Sequence, residues 1–163
     1  MHFEKISESQ WINDAGTFMS DAYNDIKLPK QGTAHSMGMD FFAPCEIYIT
    51  SGSSATIPTG IRWVVGESAT DYEVNMGLLI VPRSGLGFKH GIRLANTVGI
   101  IDADYQHAEN EGHIMIKLYN PSSETVVIEK GNGFAQGIVV PYLICEGAES
   151  DKVRTGGFGS TTK

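Results

Sequence analysis

Five stretches of the sequence carry residue types that could do chemistry. The densest is Pro82-Arg83-Ser84-Gly85-Leu86-Gly87-Phe88-Lys89-His90-Gly91, which sets a guanidinium fork, a hydroxyl, an ammonium and three glycines within ten positions. A glycine-rich turn after a strand exposes consecutive N–H groups and Arg adds paired donors, so the stretch reads as a phosphate cradle or as a plain glycine turn. It lacks the G-x-x-x-x-G-K-[ST] spacing of a Walker loop. In Asn96-Thr97-Val98-Gly99-Ile100-Ile101-Asp102-Ala103-Asp104-Tyr105, two apolar runs flank a short turn, as in a β-hairpin. Asn96 offers a donor and an acceptor that suit a base edge. Asp102 follows two isoleucines, which predicts a carboxylate at the end of a buried strand, where it must be satisfied or functional. Tyr105 would supply a rigid ring wall. The bland alternative is an ordinary Asp-bearing hairpin.

Three further stretches are weaker alone. Ser36-Met37-Gly38-Met39-Asp40-Phe41-Phe42-Ala43 holds one carboxylate in an apolar run. Gly131-Asn132-Gly133-Phe134-Ala135-Gln136 is a turn entering a strand. Arg154-Thr155-Gly156-Gly157-Phe158-Gly159-Ser160-Thr161 combines Arg, hydroxyls and glycine amides that could wrap phosphates with a Phe that could stack on a base. The alternative there is a disordered Gly/Ser tail. His107-Ala108-Glu109-Asn110-Glu111-Gly112-His113 has metal-ligand types, but a polar stretch between two strands is sufficiently explained as a solvated loop.

Behind these stretches the elements are mostly strands. Residues 7–24 predict one helix: Ser7-x-x-Gln10 fits a capping box, and Trp11, Ile12, Ala15, Phe18, Met19, Ala22 and Tyr23 recur at helical spacing. This helix would pack across the β body or bind a partner. From residue 38 onward the period is mostly two, as in Glu46–Thr50 and His113–Tyr119, with apolar runs at Ile61–Val65, Gly77–Val81, Thr97–Ile101 and Gly137–Ile144. Turn signals separate them. Short strands without a second helical pattern predict an all-β sandwich, jelly roll or barrel. No repeat or linker divides the chain, so residues 1–163 are expected to form one domain.

Composition narrows the function classes. The net charge is −7, which argues against a nucleic-acid partner, because duplex binding needs a clustered basic face. It leaves room for a small anionic ligand. No apolar run approaches the roughly 20 residues that span a bilayer, and the start lacks the pattern of a secretory signal. A soluble cytoplasmic protein is expected. Cys45 and Cys145 have neither zinc-ligand nor disulfide spacing and read as inert thiols. Nineteen of 163 residues are Gly, which suits tight turns and loops that approach a ligand by backbone.

Taken together and in this order, the five stretches resemble the motifs of the trimeric dUTPase family. Pro82-Arg83-Ser84-Gly85-Leu86-Gly87 and Asn96-x-x-Gly99-x-Ile101-Asp102-x-x-Tyr105 carry most of the likeness, and Arg154…Gly157-Phe158-Gly159-Ser160-Thr161 supplies the expected tail. The resemblance spans roughly residues 26–162. It implies a homotrimer of jelly-roll, distorted-barrel subunits with an N-terminal helix and active sites at subunit boundaries. The implied reaction is dUTP + H₂O → dUMP + pyrophosphate with Mg²⁺. Asp102 would be the general base. Asn96 and the backbone at Gly99 and Ile101 would read uracil, with Met115 beside the substrate and Tyr105 closing on the sugar. Arg83, Ser84, Gly85 and Gln136 would contact phosphates, and Asp40 would organise water around the metal. Residues 154–163 would form a flexible lid, with Phe158 over the base, Arg154 on the γ-phosphate, and Gly159, Ser160 and Thr161 around the phosphate chain.

The sequence departs from the family pattern at three places. Asn132-Gly133 stands where Asp/Glu-Arg is usual, Arg154 lies one residue nearer Phe158 than in many members, and residues 106–111 form an insert after Tyr105. Two other functions compete with the hydrolase. One is a same-fold deaminase resembling dCTP deaminase, whose usual Ile-Asp-Pro-Gly-Phe is replaced here by Ile101-Asp102-Ala103-Asp104-Tyr105. The other is a nucleotide-responsive regulatory binding protein, which the insert and the helix would serve as contact surfaces.

Overall fold

The computed structural model describes residues 1–66, 75–148, 150 and 156. Strand β1 (His2–Lys5) leads into helix α1 (Glu8–Ala15) and a 3₁₀ helix (Thr17–Asp25). The predicted helix over 7–24 is therefore broken. Gly16 takes φ 88°, a left-handed conformation, and its N–H donates to the Ile12 carbonyl at 3.0 Å, ending α1. The helical periodicity survives because the indole N–H of Trp11, which is 0 % exposed, donates to the Met19 carbonyl at 2.8 Å and folds the second piece back onto the first.

The rest is β, in the order β2 (Lys30–Gln31), β3 (Met39–Phe42), β4 (Ile47–Ile49), β5 (Ser54–Pro58), β6 (Ile61–Val64), β7 (Met76–Pro82), β8 (Arg93–Leu94), β9 (Gly99–Ile101), β10 (Met115–Tyr119), β11 (Val126–Ile128) and β12 (Gly133–Pro141). A five-stranded antiparallel sheet runs β2-β3-β12-β7-β9. Facing it are β5-β10-β8 and the pairs β4-β11 and β1-β6. Alternation decides which face each strand buries. In β10, Ile116 and Leu118 point inward and Lys117 outward; in β4, Ile47 and Ile49 are buried and Tyr48 is not. One apolar core takes Phe41, Leu78 and Phe134 from the large sheet, Ile57 and Leu118 from the second, and Trp11 from α1. The architecture is the expected all-β jelly roll. No helix among the described residues is long and apolar enough to cross a membrane.

Two local expectations change. Residues 84–90 form a short helix, α2 (Ser84–His90), rather than a glycine turn. Arg83 enters it in extended conformation, Lys89 and His90 sit in its last turn, where positive charge suits the dipole, and Gly91 closes it at φ 68°. The stretch 96–105 is a corner and not a hairpin. Its flanking strands share only the Leu94–Thr97 bridge; β8 then joins β10, whereas β9 joins β7.

Candidate active site

Sheet register assembles the first half of the site. Gln136 in β12 lies directly opposite Asp40 in β3 on one side and Val81 in β7 on the other. The Gln136 amide Nε2–H therefore donates to Asp40 Oδ1 at 2.9 Å. Asp40 is 7 % exposed, and such a carboxylate needs partners. Arg83, one residue past the end of β7, brings Nε to 3.6 Å from the same oxygen. Ser84 and Gly85 follow in the first turn of α2 and are exposed. First-turn amides have no intrahelical acceptor, so this end of the sheet presents N–H donors, a hydroxyl and a guanidinium together.

The second half is an apolar cavity of about 470 Å³ beside β9, lined by Ile80, Leu94, Asn96, Gly99, Ile101 and Met115 among others. Thr97 takes φ 68° and its N–H donates to the Leu94 carbonyl at 3.1 Å, which turns the chain so that Asn96 stands at the cavity mouth. Strand β9 is the edge of its sheet, so one side of its backbone is left for a ligand to pair with. Space is tight at Gly99: a Cβ there would lie 3.1 Å from the Cβ of Ile80. Met115 and Thr56 also line a second cavity of about 430 Å³ beneath the N-terminal helices.

Asp102 follows β9 and caps the short 3₁₀ helix Ala103–His107. It is exposed, not buried as the two isoleucines predicted. Alternation explains the difference. Ile101 is 3 % exposed and faces the core, whereas Ile100, 65 % exposed, shares the outward face with Asp102. The pairing Leu78–Ile101 and Ile80–Gly99 runs β9 antiparallel to β7. Arg83 lies five positions beyond Leu78, roughly 17 Å along the strand, so Asp102 and the Asp40–Gln136–Arg83 group stand well apart within one chain.

These features coincide with a family. The sequence model of the dUTPase family matches residues 24–162. The chain belongs to the dUTPase family. Its relatives include the deoxyuridine 5′-triphosphate nucleotidohydrolase of Lactococcus lactis, 38 % identical over 83 % of this chain and 88 % of the relative. The corresponding protein of Shewanella halifaxensis is 40 % identical over 83 % and 86 %. The crystal structure of dUTPase from Streptococcus mutans superposes with a TM-score of 0.70 at 32 % identity, covering 90 % of this chain and all of that one. The fold alone is shared with dUTPase from phage φ11 of Staphylococcus aureus, at 19 % identity, 78 % and 92 % coverage and a TM-score of 0.61; that structure describes coordination of a structural Mg(II) ion.

Within this dUTPase-family enzyme, the other expected site residues fall out as follows. Met115 and Ile101 line the cavity. Tyr105 does not: its ring is 2 % exposed in the core. Its hydroxyl donates to the His113 carbonyl at 2.8 Å and accepts from Asn110 Nδ2 at 2.8 Å. Arg154, Phe158, Gly159, Ser160 and Thr161 lie outside the described residues.

The insert is not the solvated loop expected of it. Glu111 accepts from both the Ser7 amide (2.8 Å) and the Ser7 hydroxyl (2.6 Å), taking the place in the capping box that Gln10 was predicted to fill. Those hydrogen bonds hold the Glu111 carboxyl below its usual pKa. His113 is 0 % exposed. The Gly60 N–H donates to its Nε2 at 2.8 Å, so Nε2 carries the lone pair and Nδ1–H donates to Asp14 at 2.7 Å. Burial lowers the His113 pKa against the opposing pull of Asp14. Helix α1 is thus tied at both of its ends, through Ser7 and Asp14, to the C-terminal end of the segment after Asp102. The only sequence clue was that His113 begins the alternation of β10.

Proposed function

We propose that this chain hydrolyses dUTP to dUMP and pyrophosphate as a homotrimer, with Asp102 as general base. The observation that carries the reading is the division of the site. An apolar cavity lies beside β9 with Asp102 just past the strand's end, and the anion-binding group lies roughly 17 Å along the sheet from Asp102 on the same chain. A triphosphate is too short to bridge roughly 17 Å along a strand, so the cavity of one copy is completed by Arg83, Ser84, Gly85 and Gln136 of another. Ile100 and Val98, 65 % and 40 % exposed, give β9 an outward apolar face suited to such a contact.

In this scheme Asn96 and the edge backbone at Gly99 and Ile101 pair with the uracil edge, and Met115 packs on the nucleoside. Cytosine presents the opposite donor and acceptor pattern and would leave buried groups unpaired. Asp102 receives the proton of a water whose oxygen bonds to the α-phosphorus. The bond from that phosphorus to the bridging oxygen breaks, and pyrophosphate departs. Holding the water in line supplies much of the rate. The tail residues Arg154, Phe158, Gly159, Ser160 and Thr161 cover the nucleotide and exclude bulk water. Tyr105 serves from beneath, fixing the turn that follows Asp102.

A divalent ion fits this donor set in one way. Among the described residues no three His, Cys, Asp or Glu side chains converge to hold a metal, whereas Mg²⁺ prefers phosphate oxygens and water to a protein cage. Asp40, with one oxygen already taken by Gln136, would hold it through water. Bound Mg²⁺ would neutralise charge on the triphosphate.

The test is pyrophosphate release from dUTP, dTTP, dCTP and UTP, with and without Mg²⁺, scored beside ammonia release. Turnover of dUTP alone, dependent on Mg²⁺, is expected. Ammonia from dCTP would replace the hydrolase with the deaminase reading, and turnover of none of the four would remove it. The regulatory reading loses one motive, since the insert binds this chain's own α1.

A further inference from the structure

Among the described residues two that are not glycine have positive φ, Thr97 at 68° and Glu111 at 58°, and they bracket Asp102 in sequence. A non-glycine residue in the left-handed region carries strain that its surroundings must offset. Thr97 sets Asn96 at the cavity mouth. Glu111 does something different. Its carboxyl takes the amide and the hydroxyl of Ser7 at the start of α1, and the next residue, Gly112, is pressed against the turn that follows Asp102. Gly112 is left-handed too, at φ 73°. A Cβ there would stand 2.8 Å from both Gln106 Cα and the Tyr105 carbonyl oxygen. Both are backbone atoms, which cannot swing aside as a side chain would. From the same segment the Asn110 amide donates to the Tyr105 hydroxyl at 2.8 Å, and that hydroxyl donates to the His113 carbonyl at 2.8 Å. The turn held in this way is short. The Tyr105 N–H donates to the Asp102 carbonyl at 3.1 Å and the Ala108 N–H to the Tyr105 carbonyl at 3.0 Å. The Gln106 side chain also accepts from the Val65 N–H at 3.1 Å, which ties the turn to the end of β6.

We infer that Asn110 and Gly112 are positioning residues: the segment 110–113 braces the Tyr105–Gln106 peptide and so holds the Asp102 carboxylate where it meets its water. The inference rests on the reading of Asp102 as general base. A base that must hold a water in line loses rate steeply with displacement. Nucleoside binding uses Asn96, Gly99, Ile101 and Met115, which line the cavity and lie outside the braced turn. Loosening the brace therefore lowers kcat and leaves KM alone.

Asn110→Ala and Gly112→Ala test it, each alone and combined with Asp102→Asn. Readouts are kcat and KM for dUTP and hydrogen exchange at the Tyr105 and Ala108 amides. Asn110→Ala should lower kcat by about fivefold, as the loss of one hydrogen bond predicts. Gly112→Ala, whose methyl meets backbone, should lower it by about 10²-fold. KM should stay within about twofold, and both amides should exchange at least about fivefold faster while the core strands keep their wild-type rates. In the Asp102→Asn background, with no base left to place, each substitution should lower residual kcat by less than about twofold. Wild-type kcat in Asn110→Ala, a loss confined to KM, or an equal fractional loss in the Asp102→Asn background would overturn the inference. Should Gly112→Ala fail to fold, Asn110→Ala decides alone. Near-normal turnover in Asp102→Asn would sink the general-base reading instead, and the exchange rates would still decide whether the segment holds the turn.

Discussion

Asp14→Ala removes the acceptor on which a fully buried imidazole depends. The Nδ1–H of His113, on a ring that is 0 % exposed, then loses its protein acceptor. A buried donor that loses a charged acceptor costs about 1.5–3 kcal/mol. The side chain of Asp14 is 20 % exposed, so some solvent relief places the expectation near the middle, about 2 kcal/mol. Asp14→Asn retains an acceptor oxygen and should cost less than half as much. The pH dependence has a definite sign. Burial depresses the folded-state pKa of His113, so the unfolded chain takes up a proton that the folded chain refuses once pH falls below about 6.5. Stability contributed by the neutral ring is therefore present above that pH and is lost as pH falls towards the folded-state value, by at most about 1.4 kcal/mol per unit. Asp14 opposes the depression, so Asp14→Ala should steepen the acid loss, whereas His113→Gln, which cannot titrate, should flatten it. Urea titrations at pH 7.5, 6.5 and 5.5, at one fixed protein concentration because the proposed assembly would contribute to stability, read both effects. Asp14→Ala within about 0.5 kcal/mol of wild type at pH 7.5, with an unchanged slope below pH 6.5, would refute the assignment of this pair.

Other outcomes follow from the site. Asp102→Asn keeps the shape and loses the base, so turnover of dUTP should fall by about 10²–10⁴-fold with dUTP affinity largely kept, by stopped-flow turnover and equilibrium binding; near-normal turnover would remove Asp102 from that role. Ile100→Lys places a charge on the outward face of β9 and should leave the monomer folded by circular dichroism, while light scattering shows loss of the trimer and activity falls with it. Removal of residues 154–163 should leave the trimer intact with poor catalysis, and dissociation on truncation would show that the tail is structural.

Several elements were legible because a single local rule dictated them. Alternation at Met115–Tyr119 and Val126–Ile128 gave the strands and their buried faces, and Ser7 caps α1 through the predicted bond from the Gln10 amide at 3.1 Å. Where two rules competed, spacing alone chose wrongly. The helical period of 7–24 continued past Gly16 although the backbone did not. Glycines in 84–90 suggested a turn, while the extended Arg83 and the left-handed Gly91 made room for a helix. Asp102 was placed inside by the apolar residues before it, although counting in twos from the exposed Ile100 puts it outside. The tie from Glu111 to Ser7 spans 104 positions, and no local period encodes such a contact.

The division of the site belongs to the same class, and it bears on how catalysis is controlled. Asp40, Arg83 and Gln136 meet because β3, β12 and β7 are neighbours, and Asn96, Gly99 and Ile101 meet because β9 is an edge. Strand order keeps these groups apart within a chain, since β9 runs antiparallel to β7 and carries Asp102 away from Arg83. In the proposed trimer, Asp102 and the phosphate grip of one copy therefore act on different molecules of dUTP. Dilution below the assembly constant should abolish turnover while each chain stays folded, and a mixture of Asp102→Asn chains with Arg83→Ala chains should regain some activity through trimers in which an intact cavity faces an intact grip. Two inactive variants that never complement would mean that both halves serve the same chain, against the register of β9.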